Sequence, residues 1–289
     1  MTWQTIGFEK QKKFFAQILE TAPPAGGLAH AYIFAGPEMI GKQMFARDLF
    51  VLANNREQFN QNDPDLRMVS PRLAEGETKI YIEDARDIKQ FLSLKPYHGP
   101  YKFVIINDAE RLTPEASNAL LKALEEPVSN SVLILISSKL RILLPTIISR
   151  CQMIRFLSHS PKQSEEFLSN ASASRRISKS DQQLLLAMAQ GRIGWLANAI
   201  DQVSEIKKAI ADLEKVLSGG ASDRMLYAKK MYEKETYQAT VTHWIYWLYA
   251  NSQISARHNA LKQLLTLATH ISQPQYNHRL LLENALLDL

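Results

Sequence analysis

Cysteine is almost absent from this sequence of 289 residues, which contains only Cys151. One cysteine cannot form an internal disulfide, and disulfides are typical of secreted domains. Long apolar runs are missing as well, because a stretch such as VLILI at 132–136 is far shorter than the ~20 residues that span a bilayer. The first residues also lack an apolar segment followed by a small-residue cleavage site. These absences predict a cytoplasmic chain with no membrane partner.

The excess of positive charge is small, since 34 lysines and arginines stand against 29 acidic residues, for a net charge of +5. Hydrophobic residues make up 46% and charged residues 22%, which is typical of a globular protein. The length is sufficient for two or three domains. The charge is compatible with binding to DNA, but it locates no DNA-binding surface, because mildly basic proteins are common.

Strand and helix patterns alternate over the first 157 residues. Short apolar runs predict strands at 29–36, 66–70, 101–108 and 131–138, and helical spacing predicts helices at 5–22, 42–54, 81–96 and 113–127, with a short helix and a strand in 145–156. Thr113 is placed as an N-cap, with Pro114 at the first helical position. This alternation predicts a doubly wound α/β domain with a parallel sheet.

Only helical patterns follow. Residues 158–180 are polar and rich in serine, and 181–191 and 195–203 predict a helix pair around a turn at Gly191 and Gly194. The rest predicts four or five amphipathic helices, including the aromatic stretch 243–249, which favours a core position or a subunit interface. The change in composition near residue 158 therefore predicts a domain boundary there, between the α/β domain and a helical part.

The segment AGPEMIGKQ at 35–43 is nearly a phosphate-binding loop, because Gly36, Gly41 and Lys42 fit the pattern G-x-x-x-x-G-K. Between a strand and a helix, such a loop binds phosphate through backbone N–H groups and the lysine. The next residue is ordinarily a serine or threonine that ligates Mg²⁺, and here it is Gln43. The loop is therefore predicted to have lost part of its metal chemistry.

The strand at 101–108 ends in two residues that allow two registers. In the first, Asn107 replaces the aspartate that binds Mg²⁺ and Asp108 replaces the catalytic glutamate; a neutral amide is a poor ligand for Mg²⁺. In the alternative register, Asp108 binds the metal and Glu110 is the base. Neither register restores the hydroxyl missing at Gln43, so ATP or ADP could bind but hydrolysis is not expected.

Three further segments carry a family resemblance: HAYIFAGP at 30–37, SNALLKALEEP at 117–127 and PTIISRC at 145–151. With these segments the chain resembles the bacterial clamp-loader subunits of the AAA+ ATPase class, strongly from about residue 5 to 157 and weakly through 189–200 and 276–287. The resemblance implies three domains: an AAA+ domain at 1–157, a small helical lid at 158–203 and an all-α collar domain at 204–289, although the collar is short for the family.

The resemblance also implies a role for Arg150. In the family, a Ser-Arg-Cys motif, here Ser149, Arg150 and Cys151, places an arginine finger at the ATP bound to the adjacent subunit. A planar, permanently charged guanidinium is suited to stabilising a phosphoryl group during transfer. The alternative is a surface arginine that caps the helix beginning near Pro145.

Two other family positions concern sensing of the nucleotide. Ser137 and Ser138 stand at the sensor-one region, where a polar side chain contacts phosphate or water, although a serine at a strand end can also simply cap it. At the sensor-two position, where motor subunits carry arginine, the chain has Gly194, and Arg192, two residues away, is expected to point elsewhere. This departure agrees with Gln43 in indicating lost hydrolysis.

No zinc is expected, because residues 54–65 contain none of the four cysteines that many relatives carry there. Cys151 and His30 are interpreted as packing residues. The resemblance implies a non-catalytic stator of a DNA polymerase III holoenzyme whose catalytic subunit is another chain. Its partners would be the gamma/tau ATPase and delta subunits and, through the complex, the sliding clamp and primed DNA. The alternatives are an active AAA+ ATPase and a nucleotide-binding protein outside replication.

Overall fold

The computed structural model describes residues 3–21, 27–74, 77–172, 177–251, 255–271, 273 and 276–289. The chain divides into two compact units. We call residues 1–74 and 78–159 the α/β unit, and residues 160–289, with 75–77, the helical unit. Among the helices described, none combines the length and the apolar character needed to cross a membrane.

A parallel sheet forms the centre of the α/β unit. The strands along the chain are β1 (Ala31–Ala35), β2 (Leu66–Val69), β3 (Arg72–Ala74), β4 (Glu77–Lys79), β5 (Lys102–Ile106), β6 (Ser131–Ser137) and β7 (Gln152–Arg155). Five of them pair in the order β2-β5-β6-β1-β7, and all these pairings are parallel. The strands β1, β5 and β6 are buried along their whole length, as expected for a sheet covered on both faces. The predicted parallel sheet is therefore confirmed.

Helices cover this sheet on its two faces. They are α1 (Glu9–Thr21), α2 (Lys42–Ala53), α3 (Ile82–Ser93), α4 (Pro114–Glu125) and α5 (Pro145–Ile148). Alternate residues of β1 enter different hydrophobic clusters, because side chains alternate along a strand: Tyr32 and Phe34 pack in the cluster of α1 and α2, and Ile33 packs in the cluster of α3 and α4. The predicted cap of α4 is confirmed, since Thr113 Oγ1 accepts a hydrogen bond from Ala116 N at 3.1 Å.

The helical unit packs around one hydrophobic core. Its helices are α6 (Pro161–Ser172), α7 (Lys179–Ala189), α8 (Ile193–Ala199), α9 (Val203–Ser218), α10 (Ala221–Glu233), α11 (Tyr237–Ala250), α12 (Ser255–Ile271) and α13 (His278–Leu287). The core extends from Leu168 to Leu286, on both sides of the boundary predicted between lid and collar at 203/204. That boundary stays a prediction.

The aromatic stretch of α11 lies mainly in this core. Trp244 is fully buried and donates a hydrogen bond from Nε1 to Ala209 O of α9 at 2.7 Å. Trp247 is also buried, whereas Tyr249 is exposed. The core position predicted for 243–249 is therefore confirmed for the two tryptophans, and the helices α9–α13 match the four or five predicted for this part of the chain.

Several predicted boundaries were wrong. The first helix begins at Glu9 and not at residue 5, because Gly7 and Phe8 have positive φ angles of 71° and 61°, which a helix cannot include. The third helix ends at Ser93, before Pro96, since a residue that precedes proline disfavours the helical conformation. Helical spacing alone does not reveal such local backbone constraints.

Two further corrections concern the start of the helical unit. Gly194 was predicted in a turn, but it lies in the first turn of α8; the turn before α8 contains Gln190 and Gly191, both with positive φ. The polar, serine-rich stretch 158–180 contains α6, which had not been predicted. Leu168 of α6 is buried in the core, so a few apolar residues were sufficient to dock this helix.

Candidate functional site: the phosphate loop and Arg150

The phosphate loop connects β1 to α2, and both of its motif glycines meet a backbone requirement. Gly36 donates its N–H to Ser137 O at 3.2 Å, and a Cβ atom at Gly36 would lie 2.2 Å from Phe156 O. Gly41 has a φ of 104°, in the left-handed region that favours glycine. The strand, the tight loop and the helix have the backbone arrangement that the sequence predicted, and phosphate binding by this loop stays a prediction.

Lys42, the lysine of this loop, donates hydrogen bonds to carbonyl groups of the loop itself. Lys42 is buried at the start of α2, and its Nζ donates to Gly36 O at 2.7 Å and also to Pro37 O. Burial lowers the pKa of Lys42, an effect that the nearby carboxylates Glu110, Glu38 and Asp108 oppose. Two of the three donors of the ammonium group are thus engaged by loop carbonyls.

Asn107 connects the ends of two strands. Its N–H donates to Val69 O at 2.8 Å, and its Nδ2 donates to Ser70 Oγ at 3.1 Å, so the residue ties the end of β5 to the end of β2. The amide group of Asn107 is therefore used in a hydrogen bond between strands. Asn107, which was predicted at the degenerate metal-binding position, therefore makes a structural contact.

Asp108 follows in a left-handed conformation, with a φ of 47°, and the residue is partly exposed. Partial burial, together with the charge of Glu110, raises the pKa of Asp108, and Arg111 only partly opposes this. The left-handed residue ends the strand and leads into the 3₁₀ turn Ala109–Arg111. Glu110 is the middle residue of that turn, so the turn sets the position of its side chain.

Glu110 is the acidic residue that the structure joins to the end of β6. Its Oε1 accepts hydrogen bonds from Ser138 N at 3.2 Å and Ser138 Oγ at 2.6 Å. Burial alone would raise the pKa of Glu110, but the hydrogen bonds from Ser138 hold it below its ordinary value. Ser138 Oγ also lies 3.1 Å from Glu38 Oε1 in the loop. Sequence reasoning included Glu110 only in the alternative register and missed Glu38, although a carboxylate within the loop motif was a visible signal.

The two sensor-one candidates differ in their contacts. Ser137 is buried, and its Oγ accepts a hydrogen bond from Lys139 N at 3.1 Å, which is the capping interaction that the alternative interpretation described. Ser138 instead bridges Glu110 and Glu38. Both serines therefore lie beside the phosphate loop, and Ser138 is the one whose hydroxyl is shared between two carboxylates.

The residues at this loop do not fit a magnesium nucleotide. The hydroxyl that ligates Mg²⁺ in a working loop is replaced by Gln43, half-buried in the first turn of α2, and Asn107 is bonded to Ser70. Three carboxylates already interact with the charge of Lys42, and a triphosphate would add further negative charge. In the described ranges, no group of three histidine, cysteine or acidic side chains could hold a metal ion. We derive no hydrolytic step from this geometry.

Arg150 lies elsewhere in the α/β unit, directly after α5. Its Nη2 is 2.8 Å from Oε1 of Glu125, the last residue of α4, and its Nη1 donates to Thr146 O at 3.0 Å. About a third of the side chain is exposed, 36%. In the described part of the chain, its polar contacts are with α4 and the end of α5 and include none with the phosphate loop. The site residues thus form two groups.

Two other residues singled out in the sequence, Cys151 and Arg192, make packing contacts. Burial raises the pKa of Cys151 to about 12, so the thiol is not activated as a nucleophile. In the helical unit, the guanidinium of Arg192 lies 3.9 Å from the ring centre of Tyr246, and its Nε donates to Ala189 O at 3.0 Å at the end of α7. These contacts place Arg192 in the packing of the helical unit.

The chain matches a known protein family over about half of its length. The family model described as "DNA polymerase III, delta subunit" matches residues 10–160, just over half of the chain. The chain belongs to this family. The clamp-loader family and the AAA+ fold that the sequence implied are confirmed by this match and by the parallel sheet with its flanking helices.

Curated relatives of the family are named subunit delta' of DNA polymerase III. The protein of Bacillus subtilis is 33% identical over 155 residues, which cover 49% of this chain and 46% of the relative. The protein of Pseudomonas aeruginosa is 36% identical over 138 residues, which cover 43% of this chain and 42% of the relative. Each match thus spans less than half of the relative's length.

One solved structure extends the comparison over nearly the whole chain. It is a DNA polymerase III gamma subunit-related protein of Thermotoga maritima, with a TM-score of 0.59 and 21% sequence identity. The superposition covers 96% of this chain and 97% of that one. At this identity the similarity shows a shared fold, and it includes the helical unit that the family model leaves out.

Proposed function

We propose that this chain is a non-catalytic, cytoplasmic clamp-loader subunit of the delta-prime type. It acts as a stator and supplies Arg150 to the ATP bound by the neighbouring gamma/tau ATPase subunit. ATP binding there drives opening of the sliding clamp and its placement on primed DNA. The partners are then the ATPase and delta subunits directly, and the clamp and DNA through the complex. The polymerase activity belongs to another subunit of the holoenzyme.

The observation that carries this proposal is the position of Arg150. The guanidinium is partly accessible at the end of α5, in the motif that resembles the family's arginine finger, and it is not engaged by the phosphate loop of its own chain. An arginine with these contacts is suited to acting on a nucleotide that another subunit binds. The guanidinium would then stabilise negative charge on the phosphoryl group being transferred.

The phosphate loop supports the non-catalytic part of the proposal. Lys42 is bonded to loop carbonyls, Gln43 has replaced the metal-binding hydroxyl, and three carboxylates lie near enough to interact with the charge of the lysine. These features disfavour a bound magnesium triphosphate. The loop could still hold ATP or ADP weakly, and neither is required for the function proposed.

The proposal is tested with a reconstituted clamp loader. We would measure the ATP turnover of the gamma/tau ATPase with delta, the clamp and primed DNA, adding this chain as wild type or as Arg150→Ala. Wild type is expected to stimulate turnover, and Arg150→Ala is expected to assemble normally but to lose the stimulation, because an arginine finger contributes about 10³-fold or more at the site it serves. Arg141→Ala, at an exposed position of the same unit, is the matched control.

Two results would contradict the proposal. If Arg150→Ala stimulates as well as wild type, Arg150 is not the finger. If the purified chain alone hydrolyses ATP in a magnesium-dependent reaction that Lys42→Ala abolishes, the chain is an active AAA+ ATPase. Assembly is checked for every variant by size-exclusion chromatography. Failure of the wild-type chain to assemble with these subunits would favour a role outside replication.

A further inference from the structure

We propose that Glu125 is a positioning residue for Arg150. The inference rests on the proposed function, since it states how the guanidinium is held ready for a nucleotide on the neighbouring subunit. Glu125 would not touch that nucleotide. It would act by fixing the orientation of the arginine.

Two separate elements fix the guanidinium. Glu125 Oε1, at the end of α4, is 2.8 Å from Nη2, and Thr146 O, in α5, accepts from Nη1 at 3.0 Å. Ser149 Oγ lies 3.4 Å from the same Nη1. Contacts at both terminal nitrogens determine the plane of the group, whereas a contact at one nitrogen would leave it free to rotate.

The anchored guanidinium still has donors to offer. Arginine carries five N–H groups, and the contacts with Glu125 and Thr146 use only part of them. Nε has no place in these contacts and, with the second hydrogen of Nη2, remains for phosphate oxygens. A long arginine side chain otherwise loses considerable rotamer freedom when it binds, and prior orientation reduces that cost.

The carboxylate of Glu125 comes from a rigid support. Helix α4 is capped by Thr113 at its first turn, and Leu120 and Leu124 are buried in the core of the α/β unit. Glu125 directly follows Leu124, so its backbone is fixed by that packing. Its side chain is 49% exposed, and solvent therefore screens its repulsion toward an approaching phosphate.

The test uses the reconstituted clamp loader with Glu125→Ala, Glu125→Gln and the neighbouring control Glu126→Ala. Glu125→Ala is expected to lower the stimulated kcat by about two- to five-fold, the range for a half-exposed ion pair, with little change in KM for ATP. Glu125→Gln is expected to recover most of the stimulation, because its side-chain oxygen can still accept from Nη2. Glu126→Ala is expected to match wild type.

The double variant separates positioning from a general structural effect. On the Arg150→Ala background, which has already lost the stimulation, Glu125→Ala is expected to leave both assembly and the residual turnover of the complex unchanged, since its action passes through the arginine. If Arg150→Ala abolishes stimulation but Glu125→Ala matches or exceeds wild type, the positioning role is overturned and the arginine finger stands. A loss that persists on the Arg150→Ala background, or that Gln does not relieve, also overturns it. If Arg150→Ala itself matches wild type, the proposed function has failed.

Discussion

Lys42 and Arg150 are two cations of the α/β unit that the sequence assigns to phosphate, and the fold treats them differently. Lys42 is 5% exposed and bonds to the carbonyls of its own loop, with three carboxylates nearby. Arg150 is 36% exposed and has one carboxylate partner at the end of α4. Sequence motifs alone would have ranked the lysine as the stronger phosphate ligand.

The difference shows that a cation must be accessible as well as present. A buried ammonium group that is already satisfied by carbonyls contributes to the integrity of the loop. A guanidinium in a half-exposed ion pair contributes little to stability and remains available to another molecule. Motif residues of the same charge can therefore serve structure at one place and recognition at another.

The largest expected effect on stability separates the two cations directly. Lys42→Ala is expected to lower the free energy of unfolding by about 1–3 kcal/mol, because Gly36 O and Pro37 O lose their donor and the carboxylates lose a positive neighbour. Arg150→Ala is expected to change it by no more than about 0.5 kcal/mol. Urea denaturation monitored by circular dichroism measures both.

The exposed Lys139→Ala is the control for removal of a lysine near the loop. The comparison is contradicted if Arg150→Ala lowers the free energy of unfolding more than Lys42→Ala does. In that case the ion pair with Glu125 would be a major structural contact, and the availability of Arg150 for a partner would need another explanation.

A smaller effect concerns the acids around the lysine. Because the folded-state pKa of Glu110 is lowered, its hydrogen bonds stabilise the fold above the ordinary carboxyl range, and this contribution is lost as the pH falls through the lowered pKa. Ser138→Ala removes the bond donated by the hydroxyl, leaves the one donated by the backbone N–H, and is expected to cost about 1 kcal/mol near pH 7. The difference from wild type should shrink at acidic pH. Denaturation midpoints recorded across pH measure it.

Ser93→Ala, an exposed serine at the end of α3, serves as the control for this pH series. A difference between Ser138→Ala and wild type that grows as the pH falls would contradict the expected direction of the pH dependence. The expectation is also contradicted if the stability difference caused by Ser138→Ala depends on pH to the same extent in a Glu110→Gln background, because the titrating group is absent there.

The smallest expected effect is on nucleotide affinity. Glu38→Gln removes one of the three carboxylates that interact with the charge of Lys42, and any affinity of the chain for ATP should rise by about two- to five-fold at low salt. Titration with a fluorescent ATP analogue at two ionic strengths measures this, and the gain should be smaller at high salt. Weaker binding by Glu38→Gln than by wild type would show that the loop acid assists the nucleotide and would remove the contrast with Arg150.

Much of the α/β unit could be predicted because its signals are local. Buried parallel strands such as β1 and β6 appear as short apolar runs, and the start of α4 is specified by Thr113 and Pro114 in adjacent positions. The backbone of the phosphate loop follows from its two glycines. These features depend on residues close together in the chain, so the pattern is sufficient.

Other features escaped because they depend on backbone conformation or on long-range contacts. The positive φ angles of Gly7 and Phe8 delay α1, and the separate two-stranded sheet of β3 and β4 carries too short an apolar pattern to be recognised. The positions of Asn107 and Glu110 depend on a left-handed Asp108 and on Ser138, 28 residues after Glu110 along the chain. A short stretch of sequence therefore does not reveal these contacts.

The sequence by itself determined the α/β class, the phosphate-loop motif, the replaced hydroxyl at Gln43 and the clamp-loader resemblance, because each depends on residues that are close together in the chain. Only the tertiary structure decided that Lys42 bonds to its own loop, that Ser138 joins Glu110 to Glu38, and that Glu125 meets Arg150. The physical reason is that hydrogen bonds and ion pairs form between atoms that the fold brings within about 3 Å, whatever their separation along the chain.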